Sequence, residues 1–306
     1  MVSGLDNSHD DVKNMRRILS ISYSDLPPHL KTCLLHLSLY PEDYVIETEQ
    51  LIWKWVGEGF VIKDQGRSLY ETGEAYLDML INKSLVQPVI FNHANKVYSC
   101  RVHDMVRDLI TSLSNEENFI MTVGGPQPVH LPSKIRRLSI QTNIEEVANQ
   151  LPTMNLSHVR SLAVSSSAFN LLPRLTGFPV LRVLDLTECK QVDNNHWKEI
   201  CSLFHLRYLS LKGTSITKIP KQIRNLRFMQ VLDIRSTKIE EELPSTFTQL
   251  TQLFFLSITL KTLGEEDLQV LGSIPSLGEL HIQVEKPTQG RDKRAHYFSL
   301  VISYWV

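Results

Sequence analysis

Apolar residues in the second half of the chain recur at a fixed offset. Pairs two positions apart stand at Leu138/Ile140, Leu162/Val164, Leu184/Leu186, Leu209/Leu211, Leu232/Ile234, Leu256/Ile258 and Leu280/Ile282. Their first members are 24, 22, 25, 23, 24 and 24 residues apart. Three residues before each pair stands another apolar side chain: Ile135, Val159, Leu181, Leu206, Met229, Leu253 or Leu277. Three residues after each comes Asn143, Ser167, Cys189, Thr214, Thr237, Lys261 or Glu285. Aliphatics two apart on a strand point to the same side, so each pair predicts a short strand facing a common core.

The pattern is L-x-x-L-x-L-x-x-(N/C/T), the leucine-rich repeat, in seven registered copies. The small polar residue that closes each copy can bond backbone groups left open where the chain turns out of the strand. Lys261 and Glu285 break that rule, so the last copies are degenerate. A single unit cannot bury its apolar face, so the units must stack into a solenoid whose ends need covering. The period fails after Val284, and residues 285–306 are expected to form an irregular tail, with an improvised cap on the array as the alternative. Outward strand positions carry mixed aromatic, charged and small side chains, which suits protein recognition, with Tyr208, Arg235 and Phe255 as anchors. Residues 206–238 hold eight cations, among them Lys212, Arg224, Arg227 and Arg235, against one acid, Asp233. The acid clusters at Glu240–Glu242 and Glu265–Asp267 that follow favour a protein-facing contact over a nucleic-acid stripe.

The first half has the helical period. Val12–Leu26 predicts a helix with Met15, Ile18, Leu19 and Ser22 on one face. Pro27-Pro28 ends it and opens a second helix over His29–Leu39. Thr48, Leu51, Ile52, Trp55 and Val56 mark a third, ended by Gly57 and Gly59, and Leu69–Ile81 a fourth. Two strand-like runs follow, Leu85–Phe91 and Lys96–Val102, joined by a turn-rich loop at Asn92–Asn95. Helix resumes over His103–Leu113. Helices followed by a short hairpin describe a winged-helix domain, so the chain is expected to be a multi-domain α+β protein. Residues 1–12 read as a linker, 13–120 as the winged helix, and 121–284 as the repeats.

Charge bears on what this pair of domains can bind. Residues 13–120 carry 11 basic and 14 acidic side chains, which argues against DNA, because a DNA-reading face needs clustered cations. The sign change near residue 120 suggests that the basic early repeats dock on an acidic surface. No apolar run approaches the ~20 residues of a membrane span, and the first twenty residues lack a secretory pattern. Cys33, Cys100, Cys189 and Cys201 lack metal-ligand spacing. A reduced, cytoplasmic, non-catalytic protein without nucleic-acid partners is the expectation.

Certain residues carry a family resemblance. The stretch ILSISYSDLPPHLKTCLLHLSLYPEDYVIETEQLIWKWVGEGFV (18–61), then SLYETGEAYLDMLINKSLVQ (68–87) and VHDMVRDL (102–109), resembles the winged-helix part of plant NB-ARC–LRR disease-resistance proteins of the coiled-coil class. Val102-His103-Asp104 stands where that family has its M-H-D motif, with Val in place of Met. The resemblance covers roughly residues 13–284. It implies an immune receptor gated by ADP and ATP, in which the motif histidine faces the nucleotide phosphates. Carried over, His103 would be that phosphate-facing group and Asp104 the residue that orients the loop. The partners it implies are a pathogen effector or guarded host protein at the repeats, and an NB-ARC module of the same chain or a relative.

Read from the residues alone, a His-Asp pair before a helix is a cap, with Asp104 able to accept from exposed N–H groups. No G-x-x-x-x-G-K-[ST] occurs in the sequence, so the chain alone is expected to bind no nucleotide. It reads as a truncated receptor; a standalone decoy or modulator of full-length receptors, or a non-functional gene product, are the alternatives.

Overall fold

The computed structural model describes residues 4–64, 66–91, 96–123, 134–142, 148–149, 151–285 and 297–303. The chain forms two compact units, Met1–Ile120 and Met121–Val306.

In the first unit, helix α1 (Gly4–Ser24) is followed by α2 (Pro28–His36), which has proline in its first turn and runs into a 3-10 turn at Leu37–Leu39. Strand β1 (Ile46–Glu47) leads into α3 (Thr48–Glu58), and α4 spans Leu69–Asn82. Strands β2 (Gln87–Phe91) and β3 (Val97–Arg101) form the wing, and α5 spans Asp104–Glu116. β1 pairs antiparallel with β3 to give a three-stranded sheet in the order β1-β3-β2.

Local chemistry explains the boundaries. Ser68 caps α4: its Oγ accepts from the Glu71 N–H at 3.1 Å, and the Glu71 carboxylate accepts from the Ser68 N–H at 2.8 Å, a reciprocal capping box. α3 ends at Gly59, whose φ of 79° lets the Phe60 N–H reach back to the Trp55 carbonyl at 2.9 Å. Gly57, expected to help end that helix, lies inside it. Leu30, Leu34, Leu51, Ile52, Trp55, Leu77, Leu80 and Ile110 fill the core, each at most 1% exposed.

α1 departs from its predicted apolar face. Met15 and Ile18 are 46% and 58% exposed, whereas Tyr23 and Leu26, at the end of the helix and just beyond it, are buried. This end is held: the Tyr23 hydroxyl donates to the Glu117 carboxylate at 3.4 Å, just past α5. Burial and that carboxylate push the Tyr23 pKa up to about 12. The loop expected at Asn92–Asn95 lies outside the described residues.

Among the described residues, the second unit carries a nine-stranded sheet in sequence order. β5 (Arg137–Ile140), β6 (Ser161–Val164), β7 (Val183–Asp185), β8 (Tyr208–Ser210), β9 (Val231–Ile234), β10 (Phe255–Leu260) and β11 (Glu279–Glu285) are the seven copies. They pair parallel with the repeat leucines in register: Leu138, Leu162, Leu184, Leu209, Leu232, Leu256 and Leu280. β4 (Met121–Val123) extends the sheet before β5.

The irregular tail expected at 285–306 needs correction. Tyr297–Ser303 forms β12, antiparallel to β11, with Leu280 opposite Ile302 and Ile282 opposite Leu300. A parallel sheet ends in a row of unpaired backbone groups, and the FSLVIS segment supplies a matching β-prone strand. Residues 286–296 lie outside the described set.

The turn chemistry is as expected for the copies described. Thr214 Oγ1 donates to the Leu211 carbonyl at 2.7 Å and Thr237 Oγ1 to that of Ile234 at 2.9 Å. Ser167 and Cys189 reach one copy back, to the carbonyls of Gln141 and Val164. Asn143 lies outside the described residues. No helix among the described residues is long and apolar enough to cross a membrane.

Candidate functional site

α5 is the element that presents the His-Asp pair. Val102 is buried, 7% exposed, and fixes the strand-to-helix junction, while His103 and Asp104 point outward and are exposed. The first turn of α5 is tied to a segment far away in sequence: Arg107 Nε donates to the Tyr40 carbonyl at 3.3 Å. This brings the LSLYPED segment beside VHDMVRDL. The sequence reading missed Arg107, although it lies four residues past His103, one helical turn on.

His103, not Asp104, is the N-cap. Its Nδ1 accepts from the Met105 N–H at 3.4 Å, and its carbonyl accepts from the Arg107 N–H at 2.9 Å. The cap role expected of Asp104 is therefore corrected: Asp104 is the first helical residue, where its carboxylate adds favourable charge to the helix N-terminus. With Nδ1 accepting, the proton of a neutral ring sits on Nε2. The ring is thus an exposed donor held by its own helix, a geometry suited to an anionic oxygen.

The six predicted partner-binding residues divide into two groups. Arg224 and Arg227 are exposed and Lys212 is half-buried. Tyr208 and Phe255 are each only 1% exposed, so they do not stand free as anchors. Tyr208 is flanked in register by Val183 and Val231, and Phe255 by Val231 and Glu279. The His281 ring meets Phe255 edge-on at 5.2 Å.

Arg235 is also corrected. It is 8% exposed, and its guanidinium grips the Asp233 carboxylate at 3.0 Å from Nε and 2.7 Å from Nη2. A two-pronged pair of this kind fixes the arginine. Asp185 makes the analogous fold-back to Thr187, accepting from its N–H at 3.0 Å and from its hydroxyl. The signal was present as an aspartate two positions before a donor, in L-D-L-T and L-D-I-R.

The cysteines lie inside the fold. All four are buried, and desolvation pushes Cys100, Cys189 and Cys201 up to about 12 and Cys33 higher still. A thiol needs its thiolate form to attack.

Comparison with known proteins agrees with both halves. A family described as the disease resistance protein winged helix domain matches residues 39–110, and a leucine-rich repeat region matches 158–258. The chain is 39% identical to disease resistance protein Pik-2 of Oryza sativa subsp. japonica, over 78% of this chain and 23% of that protein. It is 30% identical to putative disease resistance protein At1g59780 of Arabidopsis thaliana, over 84% of this chain and 30% of that protein. It spans about a quarter of the length of the curated relatives it matches. A solved Leptospira interrogans leucine-rich-repeat protein, LIC12759, aligns at a TM-score of 0.33 and 22% identity, covering 49% of this chain and 44% of its own. A motif-bearing winged helix followed by registered leucine-rich repeats, both matched to the same kind of relative, places the chain in the family of plant disease-resistance proteins.

Proposed function

We propose that this chain forms the winged-helix and sensor portion of a plant immune receptor gated by ADP and ATP, acting in the cytoplasm through protein contacts and carrying no catalytic step of its own. The observation that supports this most directly is the exposed His103 ring at the head of α5, with Nδ1 occupied and Nε2 left to donate. That donor set fits a phosphate oxygen. Asp104 places its carboxylate in the first turn of α5, and Arg107 fastens that turn to Tyr40.

One such contact cannot hold a nucleotide. A hydrogen bond to a charged group contributes about 1.5–3 kcal/mol, whereas even millimolar affinity needs about 4.1 kcal/mol. No phosphate-cradling G-x-x-x-x-G-K-[ST] occurs in the 306 residues. The nucleotide therefore belongs to a P-loop module, and its phosphates supply the charge that His103 meets. The winged helix acts as the lid: His103 donates from Nε2 in the resting state, and the contact is released when the repeats engage a pathogen effector or guarded host protein. Arg224 and Arg227 are exposed cations that the acidic surface of an NB-ARC module would meet in that resting state.

The test joins a family P-loop module to this chain and reads cell death in leaf tissue. His103→Ala and Asp104→Ala should each raise basal signalling without effector. Unaltered output at equal protein level would remove the pair from the switch.

A further inference from the structure

The repeat sheet ends on a strand unlike the others. β12 (Tyr297–Ser303) is last in the order of nine and runs antiparallel to β11, which takes one of its edges. Among the described residues no strand pairs with its other edge. The seven residues YFSLVIS hold no charge and no proline. Natural sheet edges are usually guarded by a lysine, a proline, a bulge or a covering element. β11 and β12 pair over all seven positions without a register shift, so no bulge turns this edge aside.

The register carries the apolar layer out to this edge. Phe298, Leu300 and Ile302 stand opposite Val284, Ile282 and Leu280, and Ile302 packs against the leucine core. Tyr297, Ser299, Val301 and Ser303 alternate with them, opposite Glu285, Gln283, His281 and Glu279.

We propose that the outer edge of β12 pairs antiparallel with β12 of a second copy of this chain, joining two repeat arrays into a closed dimer. A twofold axis through Leu300 sets Leu300 opposite itself, Phe298 opposite Ile302, Ser299 opposite Val301 and Tyr297 opposite Ser303. All seven residues overlap. Successive residues of a strand turn their backbone groups to alternate edges, and this register matches outward residues to outward residues whichever set faces out. It forms about six to eight backbone hydrogen bonds. It also sets core positions opposite core positions, so the apolar layers of the two arrays run on across the axis. A twofold contact brings equal charges together, and this segment has none to repel. β4, at the far end of the sheet, is three residues long, too short to match seven. Pairing of β12 with β4 would also be heterologous and run on into filaments. The inference goes beyond the switch proposed above and does not rest on it.

The test is the mass of the full chain by sedimentation equilibrium over a concentration series. Wild type should rise from one chain mass to two and stop there. Ser299→Lys/Val301→Lys sets lysine opposite lysine at two symmetric places and leaves the core-side positions unchanged. It should weaken the dimer about tenfold, from roughly two- to fivefold per like-charge pair, and Ser299→Glu/Val301→Glu should do the same. An equimolar mixture of the two variants sets lysine opposite glutamate and should return to two chain masses, which misfolded variants would not do. The proposal is overturned if wild type stays at one chain mass or climbs beyond two. It is equally overturned if the lysine variant dimerises like wild type, or if the mixture fails to recover. The readout does not involve His103, so either proposal can fail alone.

Discussion

Gly73 on α4 packs directly against Ile52 of α3. A Cβ there would lie 2.6 Å from Ile52 Cγ2, 3.5 Å from Val61 Cγ2 and 3.7 Å from Ile52 Cβ. Carbons in contact sit about 3.5–4.0 Å apart, so Gly73→Ala forces an overlap of about 1 Å. Ile52 cannot yield, because it is fully buried beside Leu51 and Trp55. Overpacking of this kind costs about 1–3 kcal/mol, and alanine returns up to about 1 kcal/mol through its helix propensity. The expected net loss is about 1–2 kcal/mol, a urea midpoint lower by about 0.5–1 M at an ordinary slope. Cys33 and Cys100, both fully buried in this unit, report its opening. Urea-dependent thiol labelling read by peptide mass spectrometry measures the midpoint. Ile52→Leu removes the β-branch methyl that clashes and should recover at least half of the loss in the alanine background. An unchanged or raised midpoint for Gly73→Ala, or no recovery by Ile52→Leu, would refute the packing argument.

Two further outcomes follow from the repeats. Leu232 is fully buried between Leu209 and Leu256 in register, so Leu232→Ala should cost about 2–5 kcal/mol, read as earlier labelling of Cys189 and Cys201 in urea; labelling at the wild-type midpoint would contradict the stacked-rung picture. Asp193 caps the helix Asn194–Ile200, accepting from the His196 and Asn195 N–H groups. The His196 N–H foremost, and the His196 ring with the Asn195 N–H behind it, hold its carboxyl below the usual range. A depressed carboxylate stabilises above its unfolded pKa of about 3.9 and loses that effect as pH falls through the lower folded value. Asp193→Ala should therefore cost about 1 kcal/mol at neutral pH, with the gap to wild type closing in acid; a pH-independent gap would rule out the carboxylate cap.

The repeats were legible because their signal is redundant. Seven aliphatic pairs constrain one another, and a strand that pairs Leu184 with both Leu162 and Leu209 leaves no freedom of register. The ends were not legible for the same reason. β4 and β12 occur once each, carry no repeat, and exist because an open sheet edge recruits whatever β-prone segment is within reach. In the winged helix, Pro28, Ser68 and Gly59 announce their boundaries through local chemistry. Gly57 gave a false stop, since a glycine inside a helix looks the same in sequence as one that ends it, and only φ tells them apart.

Side-chain availability is a harder quantity to read than element type. Alternation along a strand correctly turns Tyr208, Arg235 and Phe255 away from the leucine core, but it says nothing of neighbours one rung away. Those neighbours lie only about 4.8 Å off, close enough to cover an aromatic face, and Asp233 is close enough to take the charge of Arg235. The arginines that do stand open, Arg136, Arg160 and Arg182, sit just before their strands begin. Exposed cations in this stacked array therefore sit at its edges more than a strand-by-strand count of outward residues suggests. His103 obeys the same logic in the other unit: it stays available because it caps a helix, and capping consumes one ring nitrogen while leaving the other free to donate.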